Sequence, residues 1–189
     1  AALPLLSGCR QEPTPVITPE AADAEALATL DAVAEDFLRL FPESATSLGV
    51  DTGPLAGLRS QLTDRSPAGK ARIASQVRAG LERARAIDTA RLSHAMRTSV
   101  EVVRSAYQTA LDGFGLPYGD ITVGGWRNTP YVVIQNVGAY LDIPRFLDAE
   151  HPIDNAADAE AYLARLQSYP TQLDGELERL KEARGLGLV

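Results

Sequence analysis

A mainly α fold is what this sequence predicts: an antiparallel helical array with a small β element near residues 120–135. Three observations carry it. Apolar residues return at helical spacing along several long segments, Pro and Gly stand at the ends of those segments, and an aromatic, Gly-containing stretch between them breaks the helical pattern.

The first helix begins at Thr18-Pro19-Glu20, with Thr18 as cap and Pro19 in the first turn. Leu27, Leu30, Val33, Phe37, Leu38 and Phe41 form its stripe, Asp23, Glu25, Asp31 and Glu35 its other face, and Pro42 stops it. Residues 43–65 are broken by Gly49, Gly53, Pro54 and Gly57, which predicts one or two short helical turns in a long connection. Ser66-Pro67 restarts a helix with Ile73, Val77, Leu81 and Ala84 on one face. After a break at Ile87-Asp88 comes the strongest helix, with the stripe Leu92, Met96, Val100, Val103, Tyr107 and Leu111 and Gly113 as terminator. Met96 and Tyr107 at such positions read as core. Asp142-Ile143-Pro144 caps and opens a short helix over Phe146-Leu147, and Asn155 caps one over residues 156–169. Pro170 starts a last helix through Leu173, Leu177 and Leu180, ended by Gly185.

Residues 118–152 stand apart from this pattern. Residues 118–140 hold the only Trp and half of the six Tyr. Gly124-Gly125 permits unusual backbone, Pro130 removes a donor, and Tyr131 to Ile134 is a β-prone apolar run that fits a short buried strand. One reading is a loop and strand closing the core; the other is a wall of a substrate cleft, where rings and amides supply area and polar handles. On the second reading Gln135, Asn136, Tyr131 and Tyr140 contact a bound peptide, because amides and phenols pair with the backbone of an extended chain. Trp126 and His151 flank them as further candidates.

The residues Gly125-Trp126-Arg127-Asn128-Thr129-Pro130-Tyr131, Gln135, Gly138-Ala139-Tyr140, Asp142-Ile143-Pro144, Phe146-Leu147 and His151-Pro152-Ile153 also carry a resemblance. With Phe41-Pro42-Glu43-Ser44-Ala45-Thr46 and Asp158-Ala159-Glu160-Ala161-Tyr162-Leu163, they resemble the bacterial family of domain of unknown function 885 over residues 20–184. That family is regarded as similar to carboxypeptidase-type zinc metallopeptidases, helical proteins with a His-Glu-x-x-His helix much further along a longer chain. The resemblance implies that this chain is the N-terminal part of such a protein, that zinc belongs to the full-length parent, and that a missing C-terminal half is its partner. It places no catalytic residue, metal ligand or cofactor on this fragment, whose own activity is expected to be nil.

The residues themselves agree with that division. A catalytic zinc needs about three protein ligands, commonly two His at i and i+4 with a carboxylate. The two His, His94 and His151, stand on unrelated segments. His94 reads as a half-exposed helix residue, and His151 as the end of a helix, where imidazole suits the dipole. No nucleophile elbow, phosphate loop or dinucleotide fingerprint is present. The net charge of −7 argues against a nucleic-acid partner. Between Arg59 and Arg104 there are ten basic residues against four acidic ones, which reads as a solvated helical face rather than an anion or lipid patch.

The single cysteine closes the run Leu6-Ser7-Gly8-Cys9 after the apolar Ala1-Ala2-Leu3-Pro4-Leu5. That is the pattern of a bacterial lipoprotein processing site, and the Pro-rich residues 10–19 that follow suit a tether. Residues 1–9 then are the remnant of a signal and its lipobox, with Cys9 as lipid attachment point, and residues 20–189 are one helical unit cut at its C-terminus. The expected location is the cell envelope, anchored by lipid, with Arg10 after the cysteine favouring the outer membrane. The alternative function is a lipid-anchored helical binding or scaffold protein of the envelope without catalysis.

Overall fold

The computed structural model describes residues 18–124 and 129–188. Cys9, residues 10–17 of the expected tether, and Gly125, Trp126, Arg127 and Asn128 lie outside the described residues.

Helix α1 spans Pro19–Leu40, and the Thr18 hydroxyl accepts from the Ala21 amide. Its buried face is Ala22, Ala26 and Val33, with Leu30 packed beside them. Leu27 is instead 48% exposed. The correction has a simple cause: Ala22, Ala26, Leu30, Val33 and Phe37 lie one to two turns apart on a narrower line, and small residues let α1 approach its neighbours closely. Pro42 does not merely stop α1 but opens α2, Pro42–Ser47, where its missing N–H is no loss. A 3-10 helix over Gly53–Ser60 completes the long connection.

Helix α3, Pro67–Ala86, is capped by Ser66, which accepts from Gly69. A 3-10 turn, Thr89–Arg91, leads to α4, His94–Phe114, capped by Ser93. Helices α3 and α4 run antiparallel: Arg104 Nε donates to Ala84 O at 3.0 Å, while Gly80 meets Tyr107 three residues further on. A Cβ at position 80 would lie 2.7 Å from the Tyr107 ring, so glycine there lets the two helices close on one another. Val33, Val77, Leu81, Tyr107 and Ala110 form the shared core of α1, α3 and α4, and Ala22, Ala26, Leu92 and Val100 a second cluster. Most of the Arg-rich face of α3 and α4 is paired, as in Arg83 with Asp36 at 2.5 Å and Arg104 with Glu101 at 2.7 Å.

Helix α5 spans Ala139–Ala149 and α6 spans Ala156–Gly185. Ala139, Ile143, Phe146 and Leu147 of α5 pack against Tyr162, Tyr169 and Leu173 of α6 and against Leu62. Three expectations are corrected in this half. The small β element does not form: among the described residues there is no strand, only isolated bridges joining Asp120 to Thr129 and Ile134 to Val137. Pro130 withholds a donor, and Ile134 to Val137 is a tight turn, so the apolar run has no partner to pair with. Helix α5 starts at Ala139 rather than near Asp142, because a carboxylate from α6 caps it from outside, and Pro144 lies within it. The two last helices are one, with Pro170 inside; its missing N–H leaves the Leu166 carbonyl without its ladder donor on a side of α6 where Leu166 is exposed.

The burial of α6 is also inverted. Asp158, Arg165, Gln172, Glu176 and Arg179 face inward, while Leu163, Leu166 and Leu177 are exposed. Among the described residues, no helix is long and apolar enough to cross a membrane.

Candidate functional site

The inward polar face of α6 organises this half of the molecule. Arg165 is fully buried. Its guanidinium donates to Gln61 O at 2.9 Å, Leu58 O at 3.0 Å, Pro42 O at 3.3 Å and Thr46 Oγ1 at 2.8 Å, and lies 2.7 Å from His151 Nδ1. It also stacks 4.7 Å above the Phe146 ring. Because the guanidinium only donates, Nδ1 accepts and Nε2 carries the proton, which it gives to Asp158 O at 3.1 Å. Burial pushes the Arg165 guanidinium down to about 10, and Glu43 and Asp51 at longer range pull the other way. It stays a cation at neutral pH.

A second arginine links the carboxylates around this centre. Arg59 reaches Asp51 at 2.8 Å and Asp158 at 2.6 Å, and both carboxylates are buried. Burial alone would raise Asp51, but hydrogen bonds from Arg59 and Thr46 outweigh it and hold it below the usual carboxylate value. For Asp158 the Arg59 hydrogen bond is the main cause, with the same result. Glu176, buried further along α6, accepts from the Ala139 amide at 2.9 and 3.0 Å and from Arg65 at 2.7 Å. The carboxylate therefore caps α5. Gly138, at φ +142°, gives the chain a turn that an L side chain rarely adopts.

Beside this network lies a cleft of about 280 Å³. Phe41, Glu43 and Ser44 contribute from the α1–α2 junction, Thr63 to Arg65 from the loop before α3, and Lys70 and Ile73 from α3. Phe114 closes it from the end of α4, Asp120 to Thr122 and Val137 from the irregular segment, Asp142, Ile143 and Phe146 from α5, and Arg179 from α6. Most of its charges are spoken for. Glu43 accepts from the Thr63 amide at 3.0 Å and hydroxyl at 2.5 Å, Asp64 pairs with Arg72, and Arg179 pairs with Asp120 at 2.6 Å. Arg65 holds Glu176 and, at 3.4 Å, Asp142. Burial would lower Arg65, but Glu176, then Glu43 and Asp142, keep it above its ordinary value.

The sequence candidates lie elsewhere. Tyr131, Gln135, Asn136 and Tyr140 are exposed together on the irregular segment and the start of α5, and none lines the cleft. Tyr140 Oη donates to Ile134 O at 3.1 Å, closing the local turn. His151 is 6% exposed, with both ring nitrogens engaged by Arg165 and Asp158 O. His94 is exposed, at the first position of α4. Trp126 is outside the described residues. Among the described residues no group of three His, Cys, Asp or Glu is placed to hold a metal ion, so the donor set does not fit the zinc that the resemblance attaches to a longer parent. The cleft residues Lys70, Ile73, Phe114 and Arg179 were missed. One signal pointed at Lys70: it is one of only two lysines among eighteen basic residues, and it stands in the first turn of a helix, where a cation opposes the dipole.

Residues 42–189 match the family described as "Bacterial protein of unknown function (DUF885)". The match covers most of the chain and begins at α2, leaving α1 outside. No curated protein and no solved structure matches the chain. The chain belongs to the DUF885 family.

Proposed function

We propose that this member of the DUF885 family is the N-terminal, non-catalytic portion of a membrane-tethered, zinc-metallopeptidase-like protein, and that it contributes one wall of the substrate cleft. The observation that carries the reading is the cleft, in which an apolar floor of Ile73, Phe114, Ile121 and Phe146 is rimmed by Arg65, Lys70, Asp120 and Arg179. Such a mixture suits one residue of a peptide, whose side chain takes the floor and whose polar groups take the rim. Tyr131, Gln135, Asn136 and Tyr140, exposed on the segment next to Val137, would hold more distant parts of an extended peptide.

In this arrangement residues 20–189 supply binding and orientation, residues 10–19 the tether, and Cys9 the lipid attachment to the envelope, with the outer membrane favoured by Arg10. Zinc and the general base would come from a His-Glu-x-x-His segment of the parent, which no residue described on this chain replaces. The test is saturation-transfer NMR of the chain with short N-acetylated peptides, comparing wild type with Ile73→Trp, which fills the cleft. The reading expects saturable binding lost in the variant and no cleavage of any peptide. Binding unaffected by Ile73→Trp would sink it and leave the scaffold alternative standing.

A further inference from the structure

Lys70 is the cleft cation that has no carboxylate partner among the described residues. Its ammonium donates to Gly119 O at 2.9 Å, and Arg179 donates to the same carbonyl at 3.2 Å. Two cations thus converge on one neutral acceptor. Asp120 lies 2.6 Å from Arg179 and is engaged there. Among the described residues no carboxylate comes within 4.0 Å of Lys70 Nζ. Glu182, exposed, acts on it only at longer range. Burial, and then repulsion by Arg179, hold the ammonium below its ordinary value, with Asp120 and Glu182 opposing.

An ammonium has three N–H donors, and the described protein acceptors use one. A half-buried cation crowded by a second cation and set against the positive end of α3 is costly in the empty protein. Those conditions give an anion its largest advantage on entering. The charge of the anion follows from how the neighbouring cations are paired. Arg179 pairs with Asp120 and Arg65 with Glu176 and Asp142, while the carboxylates Glu43 and Asp64 are held by Thr63 and Arg72. Among the described residues Lys70 is the cleft cation without a carboxylate partner, so the fit at its ammonium is to one carboxylate. Ile73 follows Lys70 by one helical turn, and it lines the cleft with Phe114 and Ile121.

We infer that the Lys70 end of the cleft is a subsite for a single carboxylate, whose apolar body lies against Ile73, Phe114 and Ile121. The carboxylate accepts from Lys70 Nζ. A volume of about 280 Å³ accommodates one apolar residue with its terminal carboxylate, or a short fatty acid. Where the carboxylate is a peptide's C-terminus, the inference rests on the peptide cleft proposed above; as a site for a fatty acid it does not.

The experiment titrates the whole chain with N-acetyl-leucine, N-acetyl-leucine amide and octanoate, by calorimetry and by NMR of the protein. It compares wild type, Lys70→Met and Lys70→Arg, with circular dichroism to verify each fold. N-acetyl-leucine is expected to bind wild type about ten-fold or more tightly than its amide, the difference a hydrogen bond to a charged group supplies. Lys70→Met is expected to abolish that difference, and Lys70→Arg to keep most of it. Equal binding of acid and amide to wild type overturns the subsite while leaving a peptide cleft intact, and this arm needs no variant. Binding of octanoate but of neither leucine derivative supports the subsite as a fatty-acid site and removes the peptide reading. Lys70→Met binding the acids as wild type does, or no acid binding at millimolar concentration, overturns the inference outright.

Discussion

Replacing Arg165 tests whether the centre of this half is held by a fork of donors or by a charge. The five acceptors around the guanidinium are Gln61 O, Leu58 O, Pro42 O, Thr46 Oγ1 and His151 Nδ1. In Arg165→Met, Leu58 O keeps the Gln61 amide at 3.0 Å, Pro42 O stays in the backbone ladder of α2, and the Thr46 hydroxyl gives its one proton to Asp51 at 2.8 Å. Gln61 O and His151 Nδ1 then lose the donor described here. Two orphaned acceptors cost roughly 1–3 kcal/mol each, partly offset because no guanidinium has to be desolvated. The expected loss is about 3 kcal/mol, or roughly 6–12 °C in Tm for a chain of this size. Arg165→Lys should cost at least as much. It keeps a charge to be buried but brings three donors from one point to acceptors arranged for a planar fork. Urea denaturation followed by circular dichroism measures both variants. Arg165→Lys within about 0.5 kcal/mol of wild type would refute the argument, since charge alone would then suffice.

The remaining predictions concern acid, packing, lipid and metal. Asp51 and Asp158 have folded values below the ordinary 3.8, so their contribution to stability is complete above that value and is lost as pH falls through the lowered values. Denaturation midpoints should therefore fall steeply below about pH 4, and less steeply in Arg59→Met; equal slopes would count against the Arg59 bridge. Gly175→Ala should destabilise by about 1 kcal/mol despite better helix propensity, because its Cβ would lie 2.7 Å from Ser66 N and 3.0 Å from Ser66 Cα, where backbone must move. A raised Tm in that variant would show the α6 approach to be looser than described. Expressed with a complete signal in a bacterium, the protein should incorporate labelled fatty acid, and Cys9→Ala should abolish the label; labelling that persists places the anchor elsewhere. Calorimetric titration with zinc should show no stoichiometric sub-micromolar site, since His151 is engaged on both nitrogens and His94 stands alone at the start of α4.

Local chemistry was legible in the sequence where it acts over three or four residues. Thr18, Ser66 and Asn155 each cap the helix their position announced, and the α3–α4 stripe residues Val77, Leu81, Val100 and Tyr107 are core. What the sequence hid is what depends on partners far away in the chain. Pro170 reads as a helix start by local rule, yet one helix runs through it, with Pro170 and Leu166 on its exposed side. Leu163, Leu166 and Leu177 of α6 are exposed, because Arg165, Gln172 and Glu176 have acceptors and donors waiting up to about a hundred and thirty residues away in the chain. No periodicity rule sees those partners. The cleft was invisible for the same reason, its lining being drawn from positions 41 to 179.

This bears on what the family signature means. Pro42 and Thr46 offer oxygens to Arg165, His151 accepts from it, and Asp158 receives Arg59. Gly138 and Ala139 form the turn and amide that Glu176 caps, and Ala139 has no exposed surface for a larger side chain. Motifs far apart in the chain thus converge on one helix, some through hydrogen bonds and Ile143, Phe146 and Leu147 through apolar packing. A signature built this way marks how the fold is locked, whatever the protein binds. Thr46, His151, Asp158 and the Ala139 amide are poor guides to chemistry because their polar atoms are already satisfied. The informative residue is one whose polar atoms are not, and in the cleft that is Lys70: a cation in the first turn of α3, without a carboxylate in reach among the described residues. Local electrostatics disfavours it there and the fold does not repay it, which is the pattern expected where a ligand does.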